Sequence, residues 1–274
     1  MSKLNNKKNI CILIITFIIF ISLTFGFCKV GNKIVFKYTN NFKINGDEIK
    51  NTNDLYKLKN VRKLSLHDFE TEKCRDFEYL LQMKYLEELA VTVDEDFTAS
   101  SPLSVISKCE NLKKIYCDGY NQHKIDNLLH FSDMNQLESI WLNFDYIESL
   151  DGLQLITSNL KDFHLLGKHS LSNLNFDSLE NLEELYISVD LLQKIVVDIP
   201  HLKRLVVLSE SIDELIISSN CMELETLNIN FTDIDVDMLL NLKSLKKIYA
   251  SKDSFTEDDL SRLQNKGIIV EYNE

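Results

Sequence analysis

Glycine and proline are scarce in this chain, with 7 and 2 among 274 residues. That scarcity excludes long Gly/Pro-rich linkers, and with them any obvious second domain. Basic residues are outnumbered, 30 against 42 acidic ones, and the formal net charge is −12. The first 28 residues carry Lys3, Lys7 and Lys8 and no acid, which leaves −15 on residues 29–274. Nucleic acid needs a basic footprint, so a nucleic-acid partner is not expected. The same balance argues against an anionic lipid surface as a resting place for these residues.

Chemistry-bearing motifs are missing too. There is no nucleophile elbow, phosphate loop or general-base constellation. None of His67, His123, His130, His164, His169 and His201 forms a metal spacing with a second ligand. Asp233, Asp235 and Asp237 make a D-x-D-x-D run, but a calcium loop would need Gly and Glu where Met238 and Ser244 stand. These acids are read as helix-start residues. No cofactor and no metal are expected, and the chain is not expected to be an enzyme.

One long hydrophobic run is present. Ile10–Phe27 is uncharged and follows three lysines. Its 18 residues are long for a signal-peptide core and just enough for a bilayer span at ~1.5 Å per residue. Thr24-Phe25-Gly26 is a weak cleavage site. Phe27, not a small residue, precedes Cys28, which speaks against lipidation. A signal-anchor and a cleaved signal peptide both stay open. Either places the rest outside, on a cell membrane as a single-pass protein or secreted. Membrane contact is expected through this segment only. The expected layout is a short cytoplasmic tail at 1–8, the signal or anchor at 9–28, a stalk and strand-like cap at 29–50, and one repeat domain at 51–274 closed by a C-terminal cap at 254–274.

The repeats dominate what remains. The spacing LxxLxL recurs with first residues Val61, Leu86, Leu112, Leu137, Leu160, Leu182, Leu202, Leu224 and Leu245. Steps between these anchors are 25, 26, 25, 23, 22, 20, 22 and 21 residues. Nine in-phase units in that window do not arise by chance. The last two apolar residues of each unit are two apart, so they lie on one face of a strand. No unit can bury that face alone, and stacking is obligatory. On these motifs the chain resembles the leucine-rich repeat family over roughly residues 51–274. The resemblance implies an α/β fold: a right-handed solenoid, curved, with a parallel β-sheet on the concave face and a mixed helix and short-strand convex side, here after an N-terminal hydrophobic helix.

The return segments are expected to vary. DFEYLLQM, PLSVISKCEN and KIDNLLHFSDM read as helical, as do VDMLLNL and TEDDLSRLQNKG later. A half-period echo, Leu171-Leu174-Phe176, Leu192-Ile195-Val197 and Ile212-Leu215-Ile217, predicts a second convex-side strand within 168–219. Thr256 should cap the last helix and Gly267 should stop it, before a closing strand at Ile268–Tyr272. The family places asparagine eight residues after each anchor. Here those positions hold Phe69, Asp94, Tyr120, Asp145, Lys168, Asp190, Glu210, Thr232 and Asp253, so no asparagine ladder is expected.

Six cysteines tempt a disulfide reading. However, Cys109 and Cys221 sit three residues before an anchor, where Leu58, Met83, Met134, Leu179, Ile199 and Leu242 also sit. Cys117 is the third apolar residue of its unit. All three are expected to be buried thiols. Cys74 has no assigned role.

The residue four after each anchor should face outward from the sheet. Reading along the stack gives Ser65, Ala90, Tyr116, Trp141, His164, Tyr186, Val206, Asn228 and Tyr249. Tyr116, Trp141, His164 and Tyr186 fall on four consecutive strands ~4.8 Å apart. Trp141 is the sole tryptophan. Asp118, Asn143, Asp162 and Glu184 flank the row, with Lys114, Ser139 and Ser188. Leu166, Val206 and Leu208 should extend an apolar strip. Such a row can stack merely for modest stability, or it can serve as a binding hot spot. The expected function is a non-catalytic protein–protein interaction module that binds an unknown protein or peptide on the concave face. Sugars also stack on aromatic rings, so a glycan or cell-wall ligand is the rival, and a structural spacer the third reading.

Overall fold

The computed structural model describes residues 41–45, 55–56, 58–67, 77–93, 102–119, 124–125, 127–147, 149–156, 159–176, 179–232 and 234–273. The hydrophobic N-terminal run, Cys11, Cys28 and Cys74 lie outside them. No helix among the described residues is long and apolar enough to cross a membrane.

One parallel sheet of eleven strands organises the chain. Its members are β1 (Asn41–Asn45), β2 (Lys63–His67), β3 (Glu88–Val93), β4 (Lys114–Gly119), β6 (Ser139–Asn143), β8 (Asp162–Asn175), β9 (Glu184–Val197), β10 (Arg204–Ile217), β11 (Thr226–Ile229), β12 (Lys247–Ala250) and β13 (Ile269–Tyr272). They follow one another in sequence order. The short pair β5 (Lys124–Ile125) and β7 (Tyr146–Ile147) forms a second sheet.

The leucine spacing sets the register. Leu64 pairs with Leu89, Leu89 with Ile115, Ile115 with Ile140 and Ile140 with Phe163. The row continues through Leu185, Leu205, Leu227, Ile248 and Val270. From Leu64 to Ile248 these side chains are buried, and Val270 is partly so. A slip of one residue would turn the whole apolar set outward, so the register is strongly specified. The chain is a solenoid of stacked parallel strands, as the resemblance to leucine-rich repeats implies.

The cysteines follow this register. Cys109, Cys117 and Cys221 are free and buried. Burial pushes the Cys109 thiol up to about 11 and raises Cys117 and Cys221 as well. These thiols stay protonated and fill space like small hydrophobes.

The returns differ from expectation in one respect: they are less helical. DFEYLLQM gives a 3-10 turn at Glu78–Gln82, and KIDNLLHFSDM gives β5 followed by a 3-10 turn at Leu129–Phe131. Among the described residues the α-helices are short: α1 (Pro102–Ile106), α2 (Val236–Asn241) and α3 (Glu257–Asn265). With 20 to 26 residues per unit there is little length for more than a turn or two after the strand and its bends. A third 3-10 turn, at Leu153–Leu155, is entered through Gly152, whose φ of 99° suits glycine. A Cβ there would also collide with the Leu128 and Leu129 backbone.

The half-period echo appears as strand. β8, β9 and β10 are each 14 residues long and continue from the main sheet into a convex-side layer. β8 bulges between Gly167 and Ser170, and Gly167 takes φ 148° there. On β10 the bend is tied by Ser209, whose hydroxyl reaches Asp190 O at 3.1 Å and Ser211 O at 2.7 Å.

The C-terminal end closes as the sequence indicates. Thr256 and Asp259 form a reciprocal capping box on α3. Gly267 takes φ 86° after the helix, and β13 pairs with β12. The acidic run is used locally: Asp235 caps α2 by accepting from Met238 N, and Asp237 pairs with Arg262.

No asparagine ladder stands at the family position, but a short ladder of Asn, Gln and Ser side chains stands elsewhere. It stands one residue before the anchors. Asn111 Nδ2 donates to Lys84 O at 2.8 Å, Gln136 Nε2 to Cys109 O at 3.2 Å, and Asn159 Nδ2 to Asn135 O at 2.6 Å. Ser244 Oγ does the same with Met222 O. These side chains satisfy carbonyls in the turns that precede four of the strands.

Candidate functional site

The outward row is built by the same zero-offset register. Tyr116 lies opposite Trp141, Trp141 opposite His164, and His164 opposite Tyr186. The rings meet. Trp141 and His164 stack with centroids 4.5 Å apart and planes 15° from parallel. His164 and Tyr186 stack at 5.4 Å and 5°. Tyr116 tilts against Trp141 at 6.2 Å and 42°.

This column is half-buried, not fully exposed. The two tyrosine hydroxyls are held, Tyr116 by Ser139 and Tyr186 by Ser188. Burial raises both phenols, so both stay protonated at neutral pH. Burial, with Arg204 nearby, holds the His164 imidazole down to about 4. It is therefore neutral at pH 7. Its Nδ1 is buried without a hydrogen-bond partner, and its Nε2 lies 3.7 Å from Glu184 Oε1.

Charged residues line both sides of the column. On one side Asn143 Nδ2 donates to Asp118 Oδ1 at 2.9 Å. Burial pushes the Asp118 carboxyl up to about 6, and the Asn143 bond offsets part of that rise. On the other side stand Glu88, Lys114, Asp162, Glu184 and Arg204. Burial and the neighbouring Glu184 raise Asp162, against the pull of Lys114. Arg204 Nε lies 3.8 Å from Glu184 Oε1. Thus Tyr116, Trp141, His164, Tyr186, Asp118, Asn143, Asp162 and Glu184 form one contiguous patch. Arg204 and Glu88 belong to it as well. Both sit two residues after their anchors, the position of Asp162 and Glu184, so the repeat register could have found them.

The apolar strip is shorter than expected. Val206 faces outward in register with Tyr186 and Asn228, yet it is fully buried. Its short side chain is overtopped by the longer residues around it. Ser65 and Ala90, at the same position of their coils, are buried too. Leu166 and Leu208 are half-buried.

A second row escaped the sequence reading. The residue one after each anchor alternates in sign along the whole stack: Arg62, Glu87, Lys113, Glu138, Lys161, Glu183, Lys203, Glu225 and Lys246. Neighbours pair: Arg62–Glu87 at 2.9 Å, Glu183–Lys203 at 2.7 Å and Glu225–Lys246 at 2.7 Å, with Lys113–Glu138 and Lys161–Glu183 looser at 3.8 and 3.9 Å. A surface depression of about 370 Å³ lies over this row between Asn159 and Glu223, not over the aromatic column. It is open, and charged or polar side chains line it, so it is a gap between ion pairs and not a pocket for an apolar ligand. No cluster of three or more His, Cys, Asp or Glu among the described residues is placed to hold a metal ion.

No protein-family model and no curated protein matches the chain. Solved structures do. An internalin C2 from Listeria monocytogenes is 16% identical, with 71% of this chain and 74% of that one covered and a TM-score of 0.44. An internalin (inlF) from the same organism is 18% identical, with 80% and 69% covered and a TM-score of 0.46. A leucine-rich repeat protein of Leptospira interrogans is 12% identical, with 83% and 87% covered and a TM-score of 0.35. The identification of the solenoid rests on this chain's own repeat register and parallel sheet, to which these proteins are similar.

Proposed function

We propose that the chain is a non-catalytic protein-binding module. It holds a protein or peptide partner on the concave face of the main sheet through Tyr116, Trp141, His164 and Tyr186. The observation that carries this reading is the continuous aromatic column, half-buried and bordered by Asp118, Asn143, Asp162 and Glu184. Rings fixed by their neighbours offer contact area at little entropic cost, which is what a hot spot needs. The acidic border favours a partner with a cationic rim.

A glycan is the weaker reading. A sugar needs a free ring face, and the Trp141 plane already stacks on His164. What remains of this ring for a partner is chiefly its edge.

Display outside the membrane belongs to the same proposal. It is supported by the uncharged run within residues 9–28 behind three lysines. Sequencing the N-terminus of the mature protein distinguishes an anchor from a cleaved signal.

The test uses a displayed peptide library selected on the immobilised full chain. The double variant Trp141→Ala plus Tyr186→Ala should lose the selected binders. Undiminished capture by that variant overturns the aromatic-face reading. Because Trp141 is the sole tryptophan, its fluorescence also reports on oligosaccharides; a shift with a cell-wall oligosaccharide would favour the glycan instead.

A further inference from the structure

The second half of β10 has an open edge. On one side, Ser211–Ile217 pairs with β9. On the other, β11 pairs only with Arg204–Val207 and ends at Ile229. The next return is α2, not a strand, so the convex-side layer stops at β10. Backbone alternation identifies the groups left facing outward. Ser218 N–H turns back to Val197 O on β9. Ile217 N–H points the opposite way, onto Met238 Sδ at 3.1 Å. Ser209 N–H, of the same parity, points to Asn230 Oδ1. Asp213 and Leu215 therefore present N–H and C=O away from β9, along an edge that no described strand covers.

Beside this edge lies a cleft of about 280 Å³ lined by Ile212, Leu215, Phe231, Ile234 and Met238, together with acids. Asp213, Glu214 and Asp235 supply its charge, and among the described residues no Lys, Arg or His lines it. Lys194 meets Glu214 from the β9 side at 2.6 Å, and Asp213 is exposed. An open ladder edge, an apolar wall and acidic rims together specify an extended strand whose side chains alternate between apolar and basic.

We infer that the outer edge of β10 at Ser211–Ile217 is a second docking surface, which takes an extended cationic peptide as an added β-strand. Its backbone bonds the Asp213 and Leu215 amides and carbonyls. Its apolar side chains enter the cleft between β10 and α2, and its basic ones meet Asp213 and Asp235. This surface is on the convex side and is independent of the aromatic column.

The probe is a heptapeptide alternating lysine and valine, titrated against the full chain and followed by amide NMR. The Asp213 and Leu215 amides should shift. An analogue with glutamate for lysine should not bind, and neither should the fully N-methylated lysine peptide, which keeps the charge but has no backbone donors. Leu215→Pro removes an outward N–H without touching the β9 ladder and should weaken the probe by about tenfold or more. Asp213→Lys should do the same; it leaves the backbone intact should proline disturb the fold. Equal binding of the N-methylated peptide would show mere charge attraction and overturn the inference. So would no binding at about 1 mM. Concentration-dependent dimerisation that Leu215→Pro abolishes would make the occupant a second copy of this chain and also overturn it.

Discussion

The charged row and the aromatic row run along the same strands, three residues apart in every coil, and they behave differently. The charged row lies at the strand entrances, and its side chains stay largely in water: Lys246 and Glu225 are 70% and 53% exposed although they pair at 2.7 Å. Exposed pairs contribute little to stability. What the strict alternation does is penalise error, because any insertion or loss of one coil sets like charge beside like. The aromatic row lies in the middle of the strands, where flanking residues exclude water. There, repetition of one kind of side chain is favourable, since rings stack and charges repel. One row alternates its charges in water, and the other packs its rings against one another.

Five substitutions bear on that contrast. The scale is set on the buried face of the same strand: Leu185→Ala should cost about 2–5 kcal/mol by chemical denaturation, as for a fully buried leucine. Trp141→Ala should come next, at roughly 1–3 kcal/mol, because a half-buried ring loses its stacking partners and part of its burial. A cost indistinguishable from that of a charged-row variant would mean the column is not packed as a unit.

Titration separates the rows further. Asp118 has a folded-state pKa raised to about 6 by burial. Its contribution to stability is therefore full below about pH 4 and is lost as pH rises through about 6. Asp118→Asn removes this dependence, so its stability relative to the parent should improve from pH 4 to pH 7 by on the order of 1–3 kcal/mol. His164 has the opposite sign. Its depressed value makes its contribution full above about pH 6.5 and lost as pH falls through about 4. His164→Gln should flatten that acid limb.

The smallest effect is expected on the charged row. Glu183→Lys puts like charge beside both Lys161 and Lys203. Its cost should stay below about 1 kcal/mol and fade in 1 M salt. A loss of several kcal/mol would mean the row is a structural network.

Much of the scaffold could be read from residue spacing. The anchors, the thiols of Cys109, Cys117 and Cys221, and the convex strands within 168–219 all follow from apolar periodicity, which is a local property of the chain. The displaced ladder of Asn111, Gln136 and Asn159 was equally present in the sequence. It went unseen because the family pattern directed attention to the far side of the strand. The membership of the candidate site was legible, since Tyr116, Trp141, His164 and Tyr186 share one position in four coils. Its exposure was not. Val206 holds the same outward position as Tyr186 and is buried, because exposure depends on the height of residues on neighbouring strands.

The sequence by itself determined the stack: nine anchors in phase leave a parallel sheet as the way to bury every leucine. It also determined which residues line up, because a zero-offset register is simply the repeat seen edge-on. Only the tertiary structure decided which aligned side chains touch, how deep they lie, what charge they hold, and where a strand ends without a neighbour. Each of these depends on residues some 20 or more positions apart brought within a few ångströms, and such contacts leave no trace in local periodicity.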